Sequence, residues 1–275
     1  VLHRKSGYIE YYNRHNSNLP SNNIYSIISD GYGGLWVASL EYLLHFDIDK
    51  RNFTIVDVDG DGRKLQQYNR LLFCDSKKRI WAGGEMGISV FNQVGTSLLP
   101  NTDFQIASVL KQAFVNCFYE TSSGYLWIGT RNGLFALKES DKQFLQYTTE
   151  NGLPSNVIYG ILEDAYGRLW ISTNQGLSCL NSESGKFRNF TIMDGLQGNQ
   201  FNAGAYCRKD NGYMLFGGVN GITSFRPETL IDNPYAPKPV INKLFVHNKE
   251  VLPDDETGIL KESITYVNRI TLSSS

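Results

Sequence analysis

Four positions in this chain combine side chains suited to reading a polar ligand with a fixed spacing. Tyr25, Arg70, Asn116 and Tyr159 each stand eleven residues before a recurring tryptophan, Trp36, Trp81, Trp127 and Trp170. Asn23, Asn69 and Asn202 lie in or beside the same segments. Tyrosine stacks on the apolar face of a sugar, asparagine and arginine hydrogen-bond its hydroxyls, and Arg70 can also pair with a sulfate or carboxylate. The competing reading is that Tyr25 and Tyr159 simply pack between strands. In residue type the position varies while its surroundings repeat, as a ligand-reading position should.

Residues for catalysis or metal binding do not form a pattern. His3, His15, His45 and His247 are scattered, and Cys74, Cys117, Cys179 and Cys207 include no C-x-x-C pair, so neither structural zinc nor any other cofactor is expected. Each cysteine sits among apolar strand residues, where a buried free thiol is expected. There is no Walker loop and no G-x-S-x-G. Glu120 and Glu163 recur just before a turn, and a solvated edge fits them better than a glycosidase carboxylate pair. Arg70, Arg131, Arg168 and Arg188 hold unlike positions in the repeat, which argues against the converging arginines of a sialidase. Sialidase turns also space Asp and Trp by five residues, whereas Asp30 to Trp36 and Asp164 to Trp170 are six apart. No catalytic residue is expected.

The elements that carry these positions repeat five times. Asp30 to Trp36, Asp75 to Trp81, Thr121 to Trp127, Asp164 to Trp170 and, more weakly, Asp210 to Leu215 follow one another at steps of 45, 46, 43 and 45 residues. A period of about 40–50 residues built from short strands marks a β-propeller blade. In the copy from Asn151 to Thr191, Val157–Glu163 reads as a first strand and Asp164-Ala165-Tyr166-Gly167 as a type I turn. Leu169–Thr173, Leu177–Leu180 and Phe187–Thr191 then read as three further strands. Gly87, Gly133, Gly176 and Gly221, six residues after the Trp position, call for a turn with positive φ. Tyr42 takes that place in the first copy, within Leu40-Glu41-Tyr42-Leu43, so that turn is built differently or Tyr42 serves something outside the fold. Small residues after each Trp let blades approach closely, and the Trp wedges between sheets.

Bulk composition narrows the function classes. With 26 basic and 27 acidic residues the formal net charge is −1, so no broad field favours nucleic acid, acidic substrates or a membrane surface. No apolar run approaches the roughly 20 residues of a spanning helix, and Val1-Leu2-His3-Arg4 is not laid out as a signal peptide. Any export signal or membrane anchor is expected in flanking segments.

The combination Gly152-Leu153-Pro154-Ser155-Asn156, Asp164-x-x-Gly167-x-Leu169-Trp170-Ile171 and Gly176-Leu177 resembles the two-component regulator propeller repeat. Asn18-Leu19-Pro20-Ser21-Asn22 with Leu35-Trp36-Val37, and Leu126-Trp127-Ile128-Gly129-Thr130 with Asn132-Gly133-Leu134, repeat it across roughly residues 8–230. The resemblance implies the periplasmic sensor region of a hybrid two-component histidine kinase and response regulator. Such sensors bind oligosaccharides released from polysaccharides and signal to regulate carbohydrate utilisation genes. It implies an oligosaccharide partner, a homodimer in the full-length receptor, and a membrane link only through flanking segments. The alternatives are a propeller platform for protein partners, or a propeller glycosidase or lyase.

The expected fold is all-β, a β-propeller of four-stranded antiparallel blades over residues 1–233 followed by an incomplete β-sandwich segment over 234–275. Pro234, Pro237 and Pro239 mark a linker, which the resemblance offers as the route of signal transmission. Val240–Val251 and Ile264–Val267 read as new strands, resembling the opening of the immunoglobulin-like domain that follows such propellers. Only five blades can be counted, whereas full propellers of the family usually have seven. Tyr8–Tyr12 resembles a fourth strand, so the two termini could complete one blade and close a five-bladed ring. Alternatively, Tyr8–Thr54 opens part of a larger propeller.

Overall fold

A computed structural model of the chain describes residues 7–39, 42–56, 69–138, 144–230, 240–267 and 269–271. Contacts divide it into two units, Val1–Thr229 and Leu230–Ser275. The first carries five antiparallel sheets, each meandering in chain order. Blade 1 is β1 (Ile24–Ser29), β2 (Gly34–Ser39), β3 (Leu43–Asp47) and β4 (Asn52–Ile55). Blade 2 is β5 (Asn69–Cys74), β6 (Arg79–Gly84), β7 (Gly87–Val94) and β8 (Ser97–Pro100), followed by α1 (Gln105–Val109). Blade 3 is β9 (Val115–Glu120), β10 (Tyr125–Thr130), β11 (Gly133–Lys138) and β12 (Phe144–Tyr147). Blade 4 is β13 (Ile158–Glu163), β14 (Leu169–Thr173), β15 (Gly176–Asn181) and β16 (Lys186–Phe190). Blade 5 has three described strands, β17 (Phe201–Arg208), β18 (Met214–Gly218) and β19 (Gly221–Phe225).

The turns behave as their residues require. In blade 4 the Gly167 N–H donates to the Asp164 carbonyl at 3.2 Å with Gly167 at φ 72°. The Asp164 side chain closes the same turn by accepting the N–H groups of Tyr166 and Arg168. All four hairpin glycines have positive φ, 93° at Gly87, 119° at Gly133, 113° at Gly176 and 130° at Gly221. At Gly176 a Cβ would also come within 2.4 Å of the Phe190 carbonyl oxygen, so both backbone angle and space demand glycine. Leu40 and Glu41 of the deviant first turn lie outside the described residues. Tyr42 packs against the blade 1 cluster of Val37, Leu44 and Phe46, and its carbonyl accepts the Ser39 N–H at 2.9 Å.

The core is a series of interblade seams. Trp36 and Leu43 pack against Leu72, Ile80 and Phe91 of the next blade, and Trp127 and Leu134 against Ile158, Ile161 and Ile171. Trp36, Trp81 and Trp170 are each at most 1% exposed. Close approach is needed where blades meet, since a Cβ on Gly129 would lie 2.7 Å from Ile158.

Carboxylates also bind the seams, which corrects the reading of Glu120 and Glu163 as a solvated edge. Glu163 is buried and accepts the Ser122 N–H at 2.9 Å and the Ser122 hydroxyl at 3.0 Å in the preceding blade's turn. Glu120 does the same to Ser76 at 2.6 and 2.7 Å. The end of a first strand abuts the neighbouring turn, whose polar groups satisfy the charge there.

The chain's termini do not complete a blade among the described residues. Tyr12 packs edge-on against Phe46 and Phe53 of blade 1, at 5.0 and 5.8 Å between ring centres. Blades 1 and 5 each present an uncovered face. Ile222 is 65% exposed, whereas Leu43, Ile88, Leu134 and Leu177 at the same position of blades 1–4 are at most 9% exposed. Ile27 is 57% exposed, whereas Leu72, Phe118 and Ile161 are at most 5% exposed.

The second unit has a small core of Val251, Leu260 and Ile264 with Leu244, Val246 and Ile259 around it. Its strands are β20 (Phe245–Val246) and β21 (Lys249–Glu250), joined by His247 and Asn248 at φ 51° and 62° in the manner of a type I′ turn. Residues 240–244 carry no strand. Ile264–Tyr266 is a 3-10 turn rather than the expected strand, with the Tyr266 N–H donating to Ser263 at 2.9 Å while Ile264 faces the core. Pro234, Pro237 and Pro239 lie outside the described residues. Two cysteines depart from expectation: Cys117 and Cys179 are buried, but Cys74 is half-buried and Cys207 exposed, because β17 belongs to the uncovered blade.

Candidate ligand-binding face

The residues eleven before each Trp share one structural feature. In β1, Ile24 pairs with Ser39 and Ser26 with Ala38, leaving Tyr25 as the extra residue of a β-bulge. Arg70 is the extra residue between Asn69 and Leu71, Asn116 between Val115 and Cys117, and Tyr159 between Ile158 and Gly160. In β17 the irregular stretch between Phe201 and Tyr206 contains Asn202. A bulge redirects a side chain out of the ladder. Because the first strands run the same way through each blade, these bulges share one end of the propeller.

The structure brings some of these residues together. The Arg70 guanidinium lies over the Tyr25 ring at 5.0 Å and pairs with Glu85 at 2.9 Å. Tyr25 is 41% exposed, and Asn23 and Asn202 are exposed. Asn116 is half-buried and donates to the Ile158 carbonyl at 2.7 Å, tying blade 3 to blade 4. Tyr159 is half-buried against the seam of Leu162, Trp170 and Phe201, as its packing alternative describes. Asn69 opens β5 opposite Gly84.

A second set at the same end was not singled out from the sequence. Glu85, Arg131 and Asn174 stand four residues after Trp81, Trp127 and Trp170, at the tip of the hairpin between second and third strands. They precede the hairpin glycine at constant spacing and vary in type, the same signal that marked Arg70. Glu85 neutralises Arg70. The exposed Arg131 lies over the Phe114 ring at 3.7 Å, and its N–H donates to the Phe114 carbonyl at 3.0 Å. The Asn174 side-chain oxygen is buried with no donor among the described residues.

The opposite end of the blades holds the turn aspartates and two adjoining hollows of about 450 and 260 Å³ between blades 2 and 3, both lined by Arg79, Phe104 and Leu137. Arg79 is held there by Asp75 at 2.6 Å and lies over Phe104 at 4.8 Å. None of the bulge residues reaches these hollows. Among the described residues no three His, Cys, Asp or Glu side chains converge.

Residues 18–41, 110–132 and 152–175 match the two-component regulator propeller. The chain is 28% identical over 237 residues to histidine kinase P4 of Formosa agariphila, a match covering 83% of this chain and 17% of that protein. Among solved structures it is similar to the extracellular domain of a candidate hybrid two-component system of B. thetaiotaomicron, with a TM-score of 0.69 at 21% identity over 84% of this chain and 33% of that one. A second such domain from the same organism gives 0.60 at 19% identity over 76% and 27%. PorZ, a surface component of the type-IX secretion system of Porphyromonas gingivalis, gives 0.63 at 16% identity over 80% and 35%. At these identities the structural likenesses establish the propeller fold, and the chain spans a minor part of each relative. The three segments that match the two-component regulator propeller lie in blades 1, 3 and 4.

Proposed function

We propose that this chain is part of the extracytoplasmic sensor region of a hybrid two-component histidine kinase. In this reading it lies in the periplasm, works as a homodimer in the full-length receptor and binds a polysaccharide-derived oligosaccharide to regulate carbohydrate utilisation genes. The similarity to histidine kinase P4 supports the sensor assignment. The observation that carries the binding assignment is the bulge register. Tyr25, Arg70, Asn116 and Tyr159 vary at one bulged position on one end of a scaffold whose turn glycines and seam tryptophans repeat. Tyr25 and Arg70 together present ring and guanidinium, the groups that grip a sugar's apolar face and hydroxyls. Among the described residues no helix is long and apolar enough to cross a membrane.

Calorimetry of the complete extracytoplasmic region against defined plant and host glycan fragments tests the reading. Saturable binding of one fragment, weakened by Arg70→Ala, is expected. Silence across the panel, product release in a reducing-sugar assay, or a protein partner recovered in place of a glycan would overturn it.

A further inference from the structure

Resting on the binding assignment above, we infer that the ligand is an anionic saccharide and that Arg131, rather than Arg70, receives its charge. Arg70 and Arg131 are the two arginines at the bulge end of blades 2 and 3, and their surroundings differ. Glu85 pairs with Arg70 at 2.9 Å, so that corner is neutral overall. Among the described residues Arg131 has no carboxylate partner, and its guanidinium carbon lies over the Phe114 ring at 3.7 Å from the ring centre. Stacking fixes the plane of the guanidinium and leaves its N–H edge for two parallel hydrogen bonds, the arrangement suited to a carboxylate or sulfate. The adjacent main-chain bond from the Arg131 N–H to the Phe114 carbonyl holds the side chain's root in place.

Blade 4 supplies a complementary group. Its Asn174 occupies the same hairpin position, and the Asn174 side-chain oxygen is a buried acceptor without a donor. A buried acceptor with no partner is costly, and turning the half-buried Asn174 side chain toward the open face lets a saccharide hydroxyl supply the proton it lacks. Blades 3 and 4 are tied at this level by the Gly133 N–H donating to the Asn156 carbonyl at 2.8 Å, so cation and acceptor belong to neighbouring blades held in register. The face therefore reads a ligand with two residues per blade, one from the bulge and one from the hairpin tip. The anionic group falls at blade 3 and a hydroxyl at blade 4.

The test uses the complete extracytoplasmic region and matched probes: oligogalacturonates against their neutral methyl esters, and sulfated galactan oligosaccharides against their desulfated forms. Arg131→Gln is expected to weaken a charged probe about tenfold and leave its neutral partner unchanged, and Glu85→Gln to strengthen the charged probe by freeing Arg70. Arg131→Lys should restore part of the affinity. The pair that responds tells carboxylate from sulfate. Unfolding temperatures of the variants confirm that these substitutions leave the fold intact. Binding confined to neutral probes, or charged binding that Arg131→Gln does not weaken, overturns this inference alone. Failure of every saccharide, charged or neutral, overturns the binding assignment with it.

Discussion

The Asp164 carboxylate accepts the indole N–H of Trp170 at 2.9 Å, and the same oxygen takes the Nε–H of Arg168 at 2.7 Å. Asp75 repeats this with Trp81 at 2.8 Å and Arg79 at 2.6 Å. One carboxylate thus fastens a turn to the strand at the seam. Blade 3 has Thr121 at this position, and the Trp127 indole N–H is buried without an acceptor. The Thr121 hydroxyl already takes the Tyr125 N–H at 3.1 Å, the bond that the second oxygen of Asp75 makes to Arg79. Thr121→Asp should keep that bond and add the indole one, raising stability by about 1 kcal/mol in urea unfolding. Asp164→Ala should cost about 2–4 kcal/mol, because it leaves an indole and a guanidinium without their acceptor. A neutral result for Thr121→Asp would mean that the clamp contributes nothing beyond the turn.

How much of this was legible follows from what each residue answers to. The hairpin glycines and the Asp164 turn were readable because φ and local hydrogen bonding are properties of a few neighbouring residues. The bulge register was readable as a spacing, although not as a bulge, since the extra residue shows only when two strands are paired. Glu163 was misread because its partner, Ser122, stands 41 residues earlier in another blade. The pairing of Glu85 with Arg70, and the absence of such an acid at Arg131 among the described residues, could not be read for a related reason: the meaning of each arginine depends on which acid reaches it in space. The 3-10 turn at Ile264–Tyr266 shows a β-branched run yielding to local packing of one isoleucine.

Ile222 and Leu177 hold the same blade position, one 65% exposed and the other 1%. Burial of an aliphatic side chain is worth about 1.5–3 kcal/mol, and a cavity adds to the loss when it is truncated. Leu177→Ala should therefore cost about 2–5 kcal/mol, while Ile222→Asp should shift stability by no more than about 0.5 kcal/mol. Equal losses from the two substitutions would show that the blade 5 face is covered in solution.

Full burial pushes the Cys117 thiol up to about 12, and burial carries Cys179 to about 11. Cys207 is exposed. Thiolate is the reacting species, so at pH 8 Cys117 offers on the order of one part in ten thousand, behind a closed seam. Iodoacetamide should label Cys207 first and Cys117 only after unfolding, as read by mass spectrometry of the native and urea-treated protein. Early labelling of Cys117 would mean that the seam between blades 3 and 4 opens.

Asp30 connects acidity to the first blade. Burial acts to raise its carboxyl, but hydrogen bonds from His45 at 2.7 Å and from the Tyr32 and Gly34 N–H groups outweigh burial and hold it below the ordinary value. In the unfolded chain the carboxyl returns to about 4. The folded state therefore binds that proton less tightly than the unfolded one. Its contribution to stability is complete above about pH 4 and is lost as pH falls through the lowered folded value. Asp30→Asn keeps an acceptor for the turn and removes the carboxyl titration, so the stability gap between wild type and variant should narrow as pH falls below about 4. Urea unfolding at pH 7, 5 and 3 measures that gap. A gap as wide at pH 3 as at pH 7 would show that the carboxylate's charge does not hold blade 1 together, leaving its shape and hydrogen bonds as the whole of its role.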